Sequence, residues 1–142
     1  MTRRLALQLL LVMAALLVGP GVSAQDPLDE AVERARSAWF SHDVESLLSE
    51  SDTVRLNVPG TASSPAMRPG QATVLLEKYL KAAEELGLEL VRIRRLADDH
   101  AYAELARAYV VKGTSEERQE RVLFGFRQLQ GIWRLREVRV TP

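Results

Sequence analysis

The C-terminal part of the chain is cut into strand-forming runs by turn signals too short to hold a crossover. That pattern constrains the fold more than any other feature. Leu88–Leu96, Ala101–Lys112, Arg121–Leu129 and Ile132–Val140 are each rich in strand formers. The breaks between them are Asp98-Asp99, Gly113-Thr114-Ser115 and Gln130-Gly131, all turn chemistry. Links of this length join only antiparallel neighbours, so the four runs form a meander. Everything upstream must then supply the layer that covers its apolar face.

The upstream elements are also legible. Asp26-Pro27 offers an N-cap followed by a proline at the first helical position. Leu28, Val32, Ala35 and Trp39 recur at helical spacing, which predicts a helix over Leu28–Phe40. Ser41-His42-Asp43 ends it, and Asp43 can cap a short second helix, Val44–Leu48. Thr53–Val58 alternates as a strand does. Pro59–Gly70 is dominated by proline, glycine and serine and reads as a loop or hairpin. Gln71–Leu86 reads as the clearest helix, a long one, with Ala72, Leu75, Leu76, Tyr79, Ala83 and Leu86 on one stripe and Gly87 as its stop. The expected order is α-α-β-α-β-β-β-β. This is an α+β fold in which a curved antiparallel sheet wraps around the long helix as a cone.

The N-terminus reads as a targeting segment. Thr2-Arg3-Arg4 is basic, Leu5–Val18 is apolar but for Gln8, Gly19-Pro20-Gly21 breaks the run, and Val22-Ser23-Ala24 suits a signal peptidase. The apolar run is shorter than the roughly 18–20 residues that span a bilayer. Residues 1–24 are thus expected to be a cleaved signal peptide and residues 25–142 a single domain. The mature protein would be exported, periplasmic or extracellular, with no membrane attachment after cleavage. The chain has no cysteine, which excludes disulfides, thiolate catalysis, zinc–thiolate sites and a lipoprotein anchor. A net charge of +0 argues against nucleic acid as a partner.

The order of elements resembles the nuclear-transport-factor-2-like superfamily, the cystatin-like cone also found in ketosteroid isomerases and polyketide cyclases. Ser41-His42-Asp43 followed by Leu47-Leu48 sits where that superfamily often carries Gly-Asp and an apolar helix. Gly131-Ile132-Trp133-Arg134-Leu135 resembles the Gly-x-Trp opening of its last strand. More narrowly, Val54-Arg55-Leu56, Gly70-Gln71-Ala72, the Tyr102–Tyr109 strand and Arg136-Glu137-Val138-Arg139 resemble short secreted bacterial proteins of unknown function within it. The resemblance implies a space between helices and sheet that can hold a ligand. In the enzymes of the superfamily that space contains converging carboxylate, histidine or tyrosine groups.

Candidate residues for such a pocket are Trp39, Tyr79, Glu104, Phe124 and Phe126. Val122, Phe124 and Phe126 share one strand face and are expected in the core. On Ala101–Lys112 one face carries Ala101, Ala103, Leu105, Arg107, Tyr109 and Val111, and the other Tyr102, Glu104, Ala106, Ala108, Val110 and Lys112. Neither is purely apolar, which suggests a bulge or a change of exposure along the strand. His42 and His100 lie in turns and are expected to be exposed. They form no metal-binding spacing. Sixteen arginines against three lysines suggest a charged outer sheet face, with Glu89, Glu104, Glu117, Glu120 and Glu137 as cross-strand partners. No nucleotide-binding loop, dinucleotide fingerprint or nucleophile elbow is present.

No catalytic triad or carboxylate dyad assembles from these residues. The first expectation is therefore a non-enzymatic domain without cofactor or metal, binding a small apolar molecule or a protein at the mouth of the cone. A second is an acid–base enzyme of the isomerase or dehydratase type, pairing Tyr79 or Tyr102 with Glu104 or Asp43. A third is a homodimer formed through the outer sheet face, where Ile132, Trp133 and Leu135 leave an apolar group outside.

Overall fold

The structure, a computed structural model, describes residues 26–63 and 65–142. The expected leader over residues 1–24 lies outside the described residues. Two helices open the fold, α1 (Pro27–Phe40) and α2 (Val44–Leu48). A short strand β1 (Arg55–Asn57), a helix α3 (Pro69–Leu80) and four long strands follow: β2 (Ala83–Ala97), β3 (His100–Val111), β4 (Glu117–Leu129) and β5 (Ile132–Thr141). The capping chemistry is as the sequence predicts. The Asp26 carboxylate accepts the Leu28 amide at 2.9 Å, and the Asp43 carboxylate accepts the Ser46 amide at 3.2 Å. The Leu28 amide holds the Asp26 carboxyl below its usual range, and the Ser46 hydroxyl, donating to Asp43 Oδ2 at 2.6 Å, and then the Ser46 amide do the same for Asp43.

The sheet order is β1-β5-β4-β3-β2. The four long strands are antiparallel neighbours, as the short turns require. The sheet is not antiparallel throughout, because β1 adds to β5 in parallel, with Leu56 opposite Val138. That pairing is available because β1 returns to the sheet only through α3. The inner face of the curved sheet carries Ala103, Leu105, Val122, Phe124 and Val138, packed against Leu28, Val32 and Trp39 of α1, Leu48 of α2, and Ala72, Leu76 and Leu80 of α3. Gly125 faces outward beside a register shift, and a Cβ there would lie 3.0 Å from the Glu137 Cβ. Its lack of a side chain is what lets β4 and β5 bend together.

Two expectations need correction. The long helix does not run to Leu86. It stops at Leu80, and Ala83–Leu86 opens β2. Ala82, Ala83, Glu84, Glu85 and Leu86 are good helix formers, but Ala83, Glu84 and Glu85 pair with Val111, Val110 and Tyr109, and this long-range pairing overrides local propensity. Gly87 is therefore not a helix cap. It follows a bulge at Leu86. The second correction concerns β3, which pairs with β4 without a register shift. Its mixed face is not explained by a bulge: Arg107 is simply buried in line with Ala103, Leu105 and Tyr109.

Candidate functional site

A charged residue in the middle of an apolar strand face must be neutralised where it stands. Arg107 is 2% exposed, and five side chains from five elements converge on it. Its Nε donates to Glu85 Oε2 at 2.9 Å, while its Nη2 donates to Glu85 Oε1, giving a two-pronged pair. Its Nη1 donates to Glu120 Oε2 at 2.9 Å and to the Tyr79 hydroxyl at 3.0 Å. Glu120 also accepts from the Tyr79 hydroxyl and, at 2.9 Å, from the Tyr109 hydroxyl. Aromatic faces enclose the guanidinium: its Cζ lies 4.0 Å from the Tyr109 ring centre, 5.3 Å from Trp39 and 5.4 Å from Tyr79.

The register explains the convergence. Glu85 is paired with Tyr109 on β3, and Glu120 on β4 sits directly opposite Arg107. Tyr79 reaches in from the last turn of α3. Burial pulls Arg107 down, but the bond and charge of Glu85, with Tyr79 and Glu120, more than offset it and hold the guanidinium above its ordinary value. Burial first, and then the bond to Glu120, push the Tyr79 and Tyr109 hydroxyls above theirs. The arrangement is a filled guanidinium receptor, and the chain supplies its own guanidinium.

His42 extends this cluster to the surface. Its Nε2 lies 3.0 Å from Glu85 Oε1, with the side chain 27% exposed. Because an ionised carboxylate only accepts, Nε2 is the nitrogen that carries the proton. His42 sits at φ 58°, just past α1, where its amide and that of Asp43 bond back to Trp39 and Ala38. That is the left-handed position usually given to glycine. The sequence expectation of an exposed turn histidine is therefore corrected: the ring is held by a buried carboxylate. His100 does lie in an exposed pair with Asp99.

An open groove lies elsewhere. A groove of about 690 Å³ runs between α1 and α2 over the ends of β4 and β5. Ala31, Ala35, Leu47, Phe126, Trp133 and Leu135 form its floor, and Glu30, Glu33, Arg34, Asp43, Glu50 and several serines line it. Phe126 on the groove floor and Glu120 in the Arg107 cluster are six residues apart on β4, ~20 Å along the strand.

The five residues proposed from sequence do not form one pocket. Trp39 and Phe124 are wholly buried, with ring centres 5.8 Å apart, and fill the interior. Phe126 packs edge-on against Phe124 and also lines the groove. Tyr79 belongs to the Arg107 cluster. Glu104 lies on the outer sheet face, bonded to Arg92 at 2.6 Å and Arg121 at 3.1 Å. Sequence reading missed Glu85, because it fell in an expected helix, and Glu120, because it was assigned to the outer face. The available signal was Arg107 itself, a lone cation among alanine, leucine and tyrosine at period two. Among the described residues no group of three or more potential ligands is placed to hold a metal ion, and no helix is long and apolar enough to cross a membrane.

No family model matches the sequence, and no curated protein matches it. Solved structures do match in fold. A ketosteroid isomerase-like protein from Erwinia carotovora atroseptica superposes with a TM-score of 0.64 at 17% identity, over 79% of this chain and 90% of that one. A DUF4783 family protein from Bacteroides ovatus gives 0.62 at 15% identity, over 75% and 90%. An NTF2-like protein of unknown function from Pseudomonas putida gives 0.58 at 15% identity, over 80% and 82%. The chain has the cone fold of the nuclear-transport-factor-2-like superfamily.

Proposed function

We propose that the protein is an exported, non-enzymatic binding domain that holds a small, largely apolar molecule in the groove between α1, α2 and the ends of β4 and β5. The fold supports a ligand-binding domain. The observation that carries the finer reading is the division of space. The interior is occupied by Trp39, Phe124 and the Arg107 cluster, whereas the groove is open, has an apolar floor and lies within the roughly 300–1,000 Å³ usual for small-molecule sites. Its acidic and hydroxyl-bearing rim favours a ligand with a basic or hydroxylated end. The basic start, apolar run and small residues before Gln25 support export.

An acid–base enzyme is the second reading, and the His42–Glu85 pair is the observation in its favour. Against it, Glu85 and Glu120 are already engaged by Arg107, and His42 does not line the groove.

Titration with the neutral dye Nile red tests the first reading. The expected result is a saturable rise in dye emission at one dye per chain, with Kd about 1–100 µM. Ser46→Trp should abolish it by filling the groove. The change removes the Ser46 hydroxyl bond to Asp43 at 2.6 Å but keeps the bond from the Ser46 backbone amide that caps α2. No saturable binding, or binding unaffected by Ser46→Trp, would contradict the assignment.

A further inference from the structure

Among the described residues β2 is an edge strand of the sheet, fifteen residues long, with β3 as its one neighbour. Its register against β3 slips three times, and each slip leaves one residue unpaired: Leu86, Val91 and Leu96. All three are apolar and exposed, at 53%, 46% and 67%. Edge strands commonly use bulges to block further pairing, but they then carry polar or charged groups outward. Here the bulges instead set three apolar side chains along the rim at equal intervals of five residues, ~16 Å apart.

The row is symmetric about Val91, and the charges around it are polar in the matching sense. Glu84 and Glu89 lie on the N-terminal side of Val91, Arg92 and Arg94 on the C-terminal side, and all four are exposed. Beside Leu86 there is also a hollow of about 340 Å³, lined by Arg36, Phe40, Leu86, Leu88 and Glu89. Phe40 is among the exposed large apolar residues.

We infer that the β2 edge is an interface between two copies of this chain, related by a two-fold axis through Val91. An antiparallel arrangement about that axis sets Val91 against its own copy and Leu86 against Leu96 of the second copy, once on each side. Leu96, the most exposed of the three, then reaches the Phe40–Leu86–Leu88 hollow of the other chain. The same operation lays the acidic half of each strand beside the basic half of the other. A two-fold contact must be self-complementary, and both the apolar spacing and the charge order of β2 meet that condition. A different partner protein would not require the row to be symmetric. The contact is made through side chains at the rim, because the bulges interrupt the backbone ladder. It is distinct from pairing through the outer sheet face.

The absence of cysteine makes the register testable by cross-linking of protein purified from cells expressing the full chain. Val91→Cys should give a disulfide-linked dimer on oxidation with diamide, since the two Cα atoms must come within about 7 Å. Leu86→Cys alone and Leu96→Cys alone should not link, whereas an equimolar mixture of the two should. Unmodified protein should sediment at twice the monomer mass at about 0.1 mM, and Glu89→Arg should return it to the monomer. These positions are exposed, so circular dichroism should be unchanged in every variant. Sedimentation as a monomer at that concentration would overturn the inference. So would a dimer in which Val91→Cys does not link, or one in which Leu86→Cys links by itself.

Discussion

Arg107→Met is expected to lower the unfolding free energy by about 3–5 kcal/mol, the usual result of removing one partner from a buried ionic group. The side chain lost is similar in length, so packing alone does not account for a change of that size. What remains is the difficulty: Glu85 and Glu120 stay inside, with side chains 3% and 10% exposed, and lose the cation that makes their ionised forms tolerable. The mechanism has a specific signature. In a Glu85→Gln, Glu120→Gln background the same Arg107→Met change should cost about 1 kcal/mol, because the amides left behind are neutral, the one at 120 keeps Tyr79 and Tyr109 as partners and the one at 85 keeps His42. Urea denaturation of the four proteins measures the difference. An equal loss in both backgrounds would mean that Arg107 acts through volume, not charge.

Trp39→Ala is expected to have a comparable effect, about 3–5 kcal/mol, for a different reason. Trp39 has no exposed surface, packs against Phe124, and forms one wall of the cage around the Arg107 guanidinium. Truncation removes the largest fully buried side chain among the described residues and opens a void between α1 and the sheet. The indole Nε1 has no hydrogen-bond acceptor among the described residues. Trp39→Phe should therefore lose no hydrogen bond and should cost less than half as much as Trp39→Ala. Thermal and urea unfolding of the two variants give the comparison. A Trp39→Phe variant as unstable as Trp39→Ala would show that the indole N–H has an unseen partner.

The elements that sequence reading found are those specified by local chemistry. Asp26-Pro27 and Asp43 cap helices because the capping bonds span two or three residues. The turns at Asp98-Asp99 and Gln130-Gly131 fix antiparallel pairing because nothing else fits so short a link. The elements it missed are specified by partners far away in the chain. Ala83–Leu86 carries a helical composition, and only its pairing with Val111, Val110 and Tyr109 draws it into the sheet. That segment also holds Glu85, so a helix expected to run past Leu80 to Leu86 conceals the principal partner of Arg107. Glu120 is a different case: it shares the period-two face of Val122, Phe124 and Phe126, but the expected strand begins at Arg121 and so leaves it out, whereas β4 begins at Glu117. Local and tertiary preferences disagree here, as they often do where a chain buries charge.

The most direct test of the buried cluster is an alkaline titration of a Tyr102→Phe variant, in which Tyr79 and Tyr109 are the only tyrosines. Both hydroxyls are raised in the folded protein by burial and by donation to Glu120. A tyrosine that ionises near pH 10 when unfolded but higher when folded contributes stability that is intact below about pH 10 and lost as pH rises beyond it. The account predicts that no phenolate absorbance develops near pH 10 while far-ultraviolet circular dichroism stays native, and that phenolate appears together with unfolding at higher pH. A phenolate signal titrating near pH 10 in the folded protein would show that these hydroxyls face water, and that the Arg107 cluster does not close the interior of the cone.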